Sequence, residues 1–194
     1  MQSDHFPDEL AQDIRTGAVG VIPTDTMYGI IASALLPDAV ARVFELRERD
    51  RSKPFLILIG SFDALSQFGV SISGSDETIL RRIWPGPVTV RLPVDAKKTA
   101  HLFPSEGTLA FRFPATRALR ELLLESGPVI APSANISGAK PAETLDEAWE
   151  YFPELDFFID GGTLPNNPST LVGIENGKLK VFRQGAWQVP EDLR

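Results

Sequence analysis

Residues 129–138 read V-I-A-P-S-A-N-I-S-G. Three apolar residues of strand character, Val129, Ile130 and Ala131, run into Pro132, which lacks the N–H that a pairing ladder needs. Small polar residues follow: Ser133, Asn135, Ser137 and Gly138. A buried strand that opens into such residues leaves its backbone open to a polar ligand, because little side-chain bulk stands in the way. The same pattern also suits an ordinary strand exit, in which Ser and Asn satisfy their own backbone. Either way a strand ends here, and the flanking segments set the kind of sheet it joins.

Outward from this stretch, helical and strand patterns alternate. Residues 7–15 read as a helix, with Pro7 in the first turn, Asp8 and Glu9 at the positive end of the dipole, and Gly17 as the stop. A strand over 18–23 leads into Thr24-Asp25-Thr26, and apolar chain resumes at 30–34. Residues 37–48 have helical spacing, and 55–59 form an apolar run of strand length. A short helix is expected over 62–68, and another capped by Ser75 or Asp76 and running to about Trp84. Strands follow at 88–92 and 108–113, separated by polar 93–107, which is long enough to be a mobile loop over a site and has one helical turn near Lys97. Residues 116–125 form an amphipathic helix stopped by Gly127-Pro128, and Thr144 caps a helix to about Tyr151. A strand at 157–160, a loop at 161–168 and a hairpin of 169–174 with 178–182, turning at Glu175-Asn176-Gly177, complete the chain. This alternation predicts a single α/β domain over 1–194, a twisted open mixed sheet with flanking helices.

Composition narrows the chemistry. The 194 residues contain no cysteine, which removes disulfides, thiolate nucleophiles and Cys-ligated zinc. With two histidines, His5 and His101, a Ser-His-Asp triad or a His-based metal site has little to draw on. The net charge of −7 opposes non-specific nucleic-acid binding through the whole surface, though not through a local basic groove. The N-terminal ten residues are acidic and lack an apolar core, and 55–59 is too short to span a bilayer, so the expected location is the cytoplasm.

No G-x-x-x-x-G-K-[ST] or G-x-G-x-x-G loop is present, so a nucleotide would be held in some other way. Residues 47–53 carry Arg47, Arg49, Arg51 and Lys53 directly before a buried strand. Guanidinium forks and an ammonium suit phosphates at the end of a sheet strand, although cations also favour a plain solvated helix C-terminus. Arg112 lies within the apolar strand L-A-F-R-F, opposite in facing to Phe111 and Phe113, and must reach water, an acid or an anionic ligand. Thr24-Asp25-Thr26 at a strand end offers two hydroxyls and a carboxylate. Ser169-Thr170 follows a Gly, Pro and Asn-rich loop, and Arg183 ends the last strand.

In order, P-T-D-T-M-Y-G, R-x-R-x-x-x-K-P-F, W-P-G-P-V-T, F-R-F-P, A-P-S-A-N-I-S-G, P-S-T and F-R-Q-G-A occur between about residues 19 and 186. Each motif alone is weak, but the ordered set resembles the YrdC-like family of L-threonylcarbamoyladenylate synthases. The resemblance implies a twisted α/β open sheet with a concave basic face. It implies threonylcarbamoyl-AMP and pyrophosphate made from L-threonine, bicarbonate and ATP with Mg²⁺, for N6-threonylcarbamoyladenosine in tRNA. Transient contact with tRNA and with the threonylcarbamoyl-transfer proteins is implied as well. By matching position, Thr26, Arg112, Ser133 and Ser169 would hold L-threonine, and Arg49, Lys53, Thr108, Asn135 and Arg183 would hold ATP. Arg47, Arg49, Ser133 and Asn135 would form the catalytic set, with no metal-ligating side chains.

The chain departs from the family pattern at Arg47, usually lysine, at Asp50, usually proline, and at Leu58, Thr116 and Ala142. Two rival readings are a non-catalytic RNA-binding protein of the same fold and a carbamoyl-transfer domain like those of hydrogenase maturation proteins. The overall charge disfavours the first, and the lack of cysteine disfavours the second. A strand ending at Pro132 predicts that Ser133 and Asn135 point into one continuous cleft.

Overall fold

The computed structural model describes residues 5–194. In chain order it contains helix α1 (Leu10–Arg15), strands β1 (Gly20–Pro23) and β2 (Tyr28–Ser33), α2 (Pro37–Leu46), β3 (Leu56–Leu58), α3 (Gly74–Ile83), β4 (Val88–Pro93), α4 (Ala96–Thr99), β5 (Thr108–Arg112), α5 (Arg117–Ser126), β6 (Val129–Ile130), α6 (Leu145–Tyr151), β7 (Phe157–Phe158), β8 (Thr170–Glu175) and β9 (Lys178–Arg183). The nine strands form one mixed sheet in the order β7-β1-β2-β6-β3-β5-β4-β8-β9. Three pairs are parallel (β1 with β7, β3 with β5, β4 with β8) and the other five are antiparallel. The α/β reading of the sequence therefore holds, with helices on both faces.

The two faces are covered unequally. One carries the larger core, where Val40, Val43 and Phe44 of α2 and Ile79, Leu80 and Ile83 of α3 meet Ile57, Val90, Phe111 and Val172 of the sheet. On the other, Leu10 and Ile14 of α1 and Leu119, Leu122 and Leu123 of α5 pack on Ile22, Ile31, Leu58 and Val129. That second layer is narrow. Ala131 and Leu56 sit at its margin and also line the cavity described below, so the cavity begins where the α1–α5 cover stops.

Several boundaries differ from the sequence reading. The helix expected over 7–15 starts at Leu10, and the one expected over 37–48 ends at Leu46. The cap of α3 is Ser73, whose Oγ accepts from the Asp76 N–H, rather than Ser75 or Asp76. Residues 93–107 are no lid. Thr99 and Leu102 are buried, the His101 ring bonds the Ala34 carbonyl, and Phe103 packs edge-on against Phe44, so this segment is fastened to the α2 side and contributes nothing to the cavity wall. Pro132 ends β6 as a donor but not as an acceptor. Its carbonyl accepts from Ile30 N at 2.9 Å, and Gly29 and Ser133 form an isolated bridge, so the chain stays against β2 past the proline.

Gly60, just beyond β3, is a close-approach glycine: a Cβ there would stand 2.7 Å from the Leu124 backbone nitrogen and 2.8 Å from the Leu123 carbonyl carbon. Both are backbone atoms of α5 and cannot rotate away. Gly60→Ala is expected to destabilise the protein by about 1–3 kcal/mol through overpacking, read as a lower urea midpoint at unchanged m-value.

Candidate active site

A cavity of about 350 Å³ opens over the ends of β1, β3, β5 and β8. Its wall includes Thr24, Thr26 and Met27 from the turn after β1, Arg47 and Arg49 from the end of α2, Arg112 from β5, Ser133 after β6, and Ser169 and Arg183 from the final hairpin. Segments more than 150 residues apart in sequence thus supply one wall, which only the strand order brings together.

The α2 end shows how two arginines come to face the same space. Glu48 has φ +50°, left-handed for a residue with a Cβ. Its N–H bonds Glu45 O at 3.0 Å and the Arg49 N–H bonds Phe44 O at 3.0 Å, the paired bonds of a Schellman stop with glutamate in the usual glycine position. The reversal sends Arg47 and Arg49 to the cavity from consecutive turns. Asp50 Oδ1 then accepts from Ser52 N at 2.8 Å, closing the turn that leads to β3.

Arg47 is buried and grips the stretch after β6. Its Nε donates to the Asn135 carbonyl at 2.7 Å, and its Nη2 donates to Asn135 Oδ1 at 3.1 Å and to Ser133 Oγ at 3.4 Å. The Arg47 carbonyl in turn accepts from Ser137 N at 2.9 Å. The Asn135 side chain is therefore not in the cleft. It is buried, and its amide donates to the Ile136 and Ala139 carbonyls at 2.7 and 2.9 Å. The expectation that Ser133 and Asn135 share one cleft is corrected: Ser133 lines the cavity, while Asn135 turns inward to hold the Arg47 fork. A lysine at 47 could not make this planar grip, which ties the departure at 47 to Asn135.

Arg112 is the deepest cation. Its Nη2 lies 3.0 Å from Asp25 Oδ1, and both side chains are almost fully buried. Nη1 donates to Thr26 Oγ1 at 3.1 Å and Nη2 to Thr24 Oγ1 at 3.3 Å. The second oxygen of Asp25 accepts from Ala115 N at 3.1 Å, so the carboxylate also ties the turn after β1 to the chain beyond β5. Among the described residues, the buried Nε of Arg112 and Oδ1 of Asp25 have no hydrogen-bond partner beyond the ion pair itself. On the far rim, Ser169 Oγ and Thr89 Oγ1 are 2.7 Å apart, and Arg183 Nη2 donates to the Ser169 carbonyl at 3.0 Å.

The electrostatics follow from this crowding. Burial, with Arg49 close by, pulls Arg47 down to about 10. Burial lowers Arg49 and Arg183 as well, and it lowers Arg112 against the opposing pull of Asp25, with Arg183 adding to the fall. Desolvated cations with one carboxylate among them make a site that favours anions.

Of the residues expected to hold ligands, Thr26, Arg47, Arg49, Arg112, Ser133, Ser169 and Arg183 line the cavity. Lys53, Thr108 and Asn135 do not. Lys53 is exposed, its carbonyl accepting from Arg49 Nε at 2.7 Å, and the Thr108 hydroxyl donates to the Ser105 carbonyl at 2.8 Å. Leu58, one of the departures from the family pattern that the resemblance implies, belongs to the α1–α5 core. Sequence reasoning passed over Tyr28. Its hydroxyl donates to Gly162 O and accepts from Gly161 N, both at 2.8 Å, anchoring the loop that brings Asn166 and Pro168 to the wall.

A family profile described as telomere recombination, the Sua5/YciO/YrdC profile, matches residues 12–185. The chain belongs to the Sua5/YciO/YrdC family. It is 37% identical over 182 residues to the threonylcarbamoyl-AMP synthase of Pyrococcus abyssi, covering 92% of this chain and 53% of that protein. It therefore spans about half the length of that relative. A putative threonylcarbamoyl-AMP synthase of Mycobacterium tuberculosis is 30% identical over 174 residues, covering 89% and 80%. Among solved structures, P. abyssi Sua5 complexed with L-threonine superposes with a TM-score of 0.79 at 32% identity, over 90% of this chain and 52% of that one. The fold is also that of Escherichia coli YciO, with a TM-score of 0.82 at 21% identity over 96% and 91%.

The Arg112–Asp25 pair generates a direct prediction. Removing the acid leaves a buried, uncompensated guanidinium. Asp25→Ala is expected to lower stability by about 3–5 kcal/mol in urea melts. Added sulfate should recover part of the loss, because an anion in the cavity would take the place of the carboxylate.

Proposed function

We propose that this chain is an L-threonylcarbamoyladenylate synthase, forming threonylcarbamoyl-AMP and pyrophosphate from L-threonine, bicarbonate and ATP, with the product destined for N6-threonylcarbamoyladenosine in tRNA. The observation that carries the reading is the convergence of Arg47, Arg49, Arg112 and Arg183 with the hydroxyls of Thr26, Ser133 and Ser169 on one cavity. Family membership and relatives named as threonylcarbamoyl-AMP synthases support it.

The reaction needs no protein nucleophile. The amine of L-threonine and bicarbonate give a carbamate with loss of water, a carbamate oxygen attacks the α-phosphorus of ATP, and the bond to the bridging oxygen breaks as pyrophosphate leaves. Catalysis then consists of positioning and of charge stabilisation in a site drier than bulk solvent. Arg112, which lines the cavity with Thr26 and Ser169, takes the amino-acid carboxylate. Arg49 and Arg183 receive the triphosphate from opposite rims. Arg47, fixed by Asn135, keeps a rigid charge beside Ser133, where the two substrates meet. Among the described residues no cluster of His, Asp and Glu could hold a metal ion. Asp25 is committed to Arg112, so Mg²⁺ fits as part of the MgATP substrate, bound through phosphates and water as that ion prefers.

The test is pyrophosphate release by the purified chain. Release is expected only with L-threonine, bicarbonate, ATP and Mg²⁺ together, and release indifferent to threonine would refute the assignment. Arg49→Ala should abolish turnover in a folded protein through lost phosphate contact. Asn135→Ala should abolish it too, but by freeing Arg47. Circular dichroism and a urea melt confirm that both variants are folded, and wild-type rates in either would misplace the site.

A further inference from the structure

The far rim of the cavity is fixed by a residue that does not touch it. Thr170 opens β8, immediately after Ser169, and is fully buried. Its hydroxyl donates to the Trp187 carbonyl at 2.6 Å and accepts from Gly185 N at 3.0 Å and Trp187 N at 3.1 Å. Those bonds use its one proton and both lone pairs. The Gln184 amide approaches the same oxygen at 3.4 Å but bonds the Trp187 carbonyl more closely, at 2.6 Å. One hydroxyl thus knits the chain leaving β9 back onto the start of β8.

What it knits matters for the cavity. Arg183 is the last residue of β9, directly before the pinned segment, and its guanidinium reaches the Ser169 carbonyl. Gly185 crosses Pro168-Ser169 so closely that a Cβ would stand 2.2 Å from the Pro168 carbonyl oxygen, and Ala186 N bonds that same oxygen at 2.9 Å. Ser169 and Arg183 therefore share one crossing of two backbones, and the Thr170 hydroxyl is the side-chain group at its centre. Without it, the Gly185 and Trp187 N–H groups lose their acceptor, and the end of β9 has one fewer restraint against splaying from β8 at the cavity.

We infer that Thr170 is a positioning residue that sets the separation of Ser169 and Arg183, and with it the affinity of the rim for phosphate. This rests on the cavity being the synthase site proposed above. The probe is inorganic triphosphate, whose binding by calorimetry needs no turnover. Thr170→Val keeps the branched strand side chain and removes only the hydroxyl. It should weaken triphosphate binding on the order of tenfold and raise the KM for ATP in parallel, with kcat changed far less. Thr170→Ser restores the hydroxyl and should return affinity to near the wild-type value. Gln184→Ala, at an exposed position, frees the same segment more gently and should weaken binding in the same direction, which keeps the test open if Thr170→Val does not fold.

A lower melting temperature in Thr170→Val with unchanged triphosphate affinity would overturn the role and leave a structural threonine. So would equal affinities for wild type and Gln184→Ala should Thr170→Val fail to fold. Wild-type protein that binds triphosphate but releases no pyrophosphate would instead overturn the synthase reading, so the two failures are separable.

Discussion

The buried pair of Arg112 and Asp25 is the interaction on which the rest of the site depends. A guanidinium buried this deeply in the sheet is costly to desolvate, and a single acid beside it makes the position tenable. Because Asp25 lies in the turn after β1 and also bonds the backbone beyond β5, the same carboxylate brings the first strand's exit and the fifth strand's end to one place. The pair is not fully satisfied, since Arg112 retains an unbonded Nε. The remaining cations then accumulate around a centre whose own charges already balance, with no second acid on the cavity wall among the described residues. An acidic protein with a net charge of −7 thus concentrates four guanidiniums at one cavity.

The three cations other than Arg112 are oriented by neutral acceptors rather than by acids. Arg47 is gripped through the Asn135 carbonyl and side chain, Arg49 bonds the Lys53 carbonyl, and Arg183 bonds the Ser169 carbonyl. Carbonyl acceptors orient a guanidinium without neutralising it, so the charge stays available to an incoming anion. The left-handed Glu48 belongs to the same design. Its strained backbone turns the α2 end so that two such groups reach the cavity within three residues.

Much of this was legible in the sequence because the signals were local. Alternating periodicities marked the α/β class, Pro132 and the small residues after it marked the strand exit, and an arginine inside an apolar strand announced a buried partner. What escaped had non-local causes. Nothing near Asn135 reveals that its side chain faces inward, because the group it serves is 88 positions earlier in the chain. Residues 93–107 resemble a mobile loop by composition, yet two buried residues and one aromatic contact fasten them to α2. Lys53 and Thr108 match the family's spacing but lie outside the cavity wall, since spacing fixes a position in the chain and not a side chain's direction. Ser73 capped α3 in place of Ser75 because the helix starts one turn earlier than its apolar face does.

The strand order has a consequence for how the molecule comes apart. β1 pairs with β7, and β4 pairs with β8, so both ends of the chain are woven through the sheet rather than stacked beside each other. Neither half owns a complete set of neighbours, and the contacts that close the sheet span most of the chain's length. Such a topology favours slow folding, because its non-local pairings cost loop-closure entropy before they stabilise anything. The cavity is built across the same seam, from Thr26 at one end to Arg183 at the other. Occupying it therefore staples the fold's most distant segments together, so that ligand binding and the global unfolding equilibrium are thermodynamically linked.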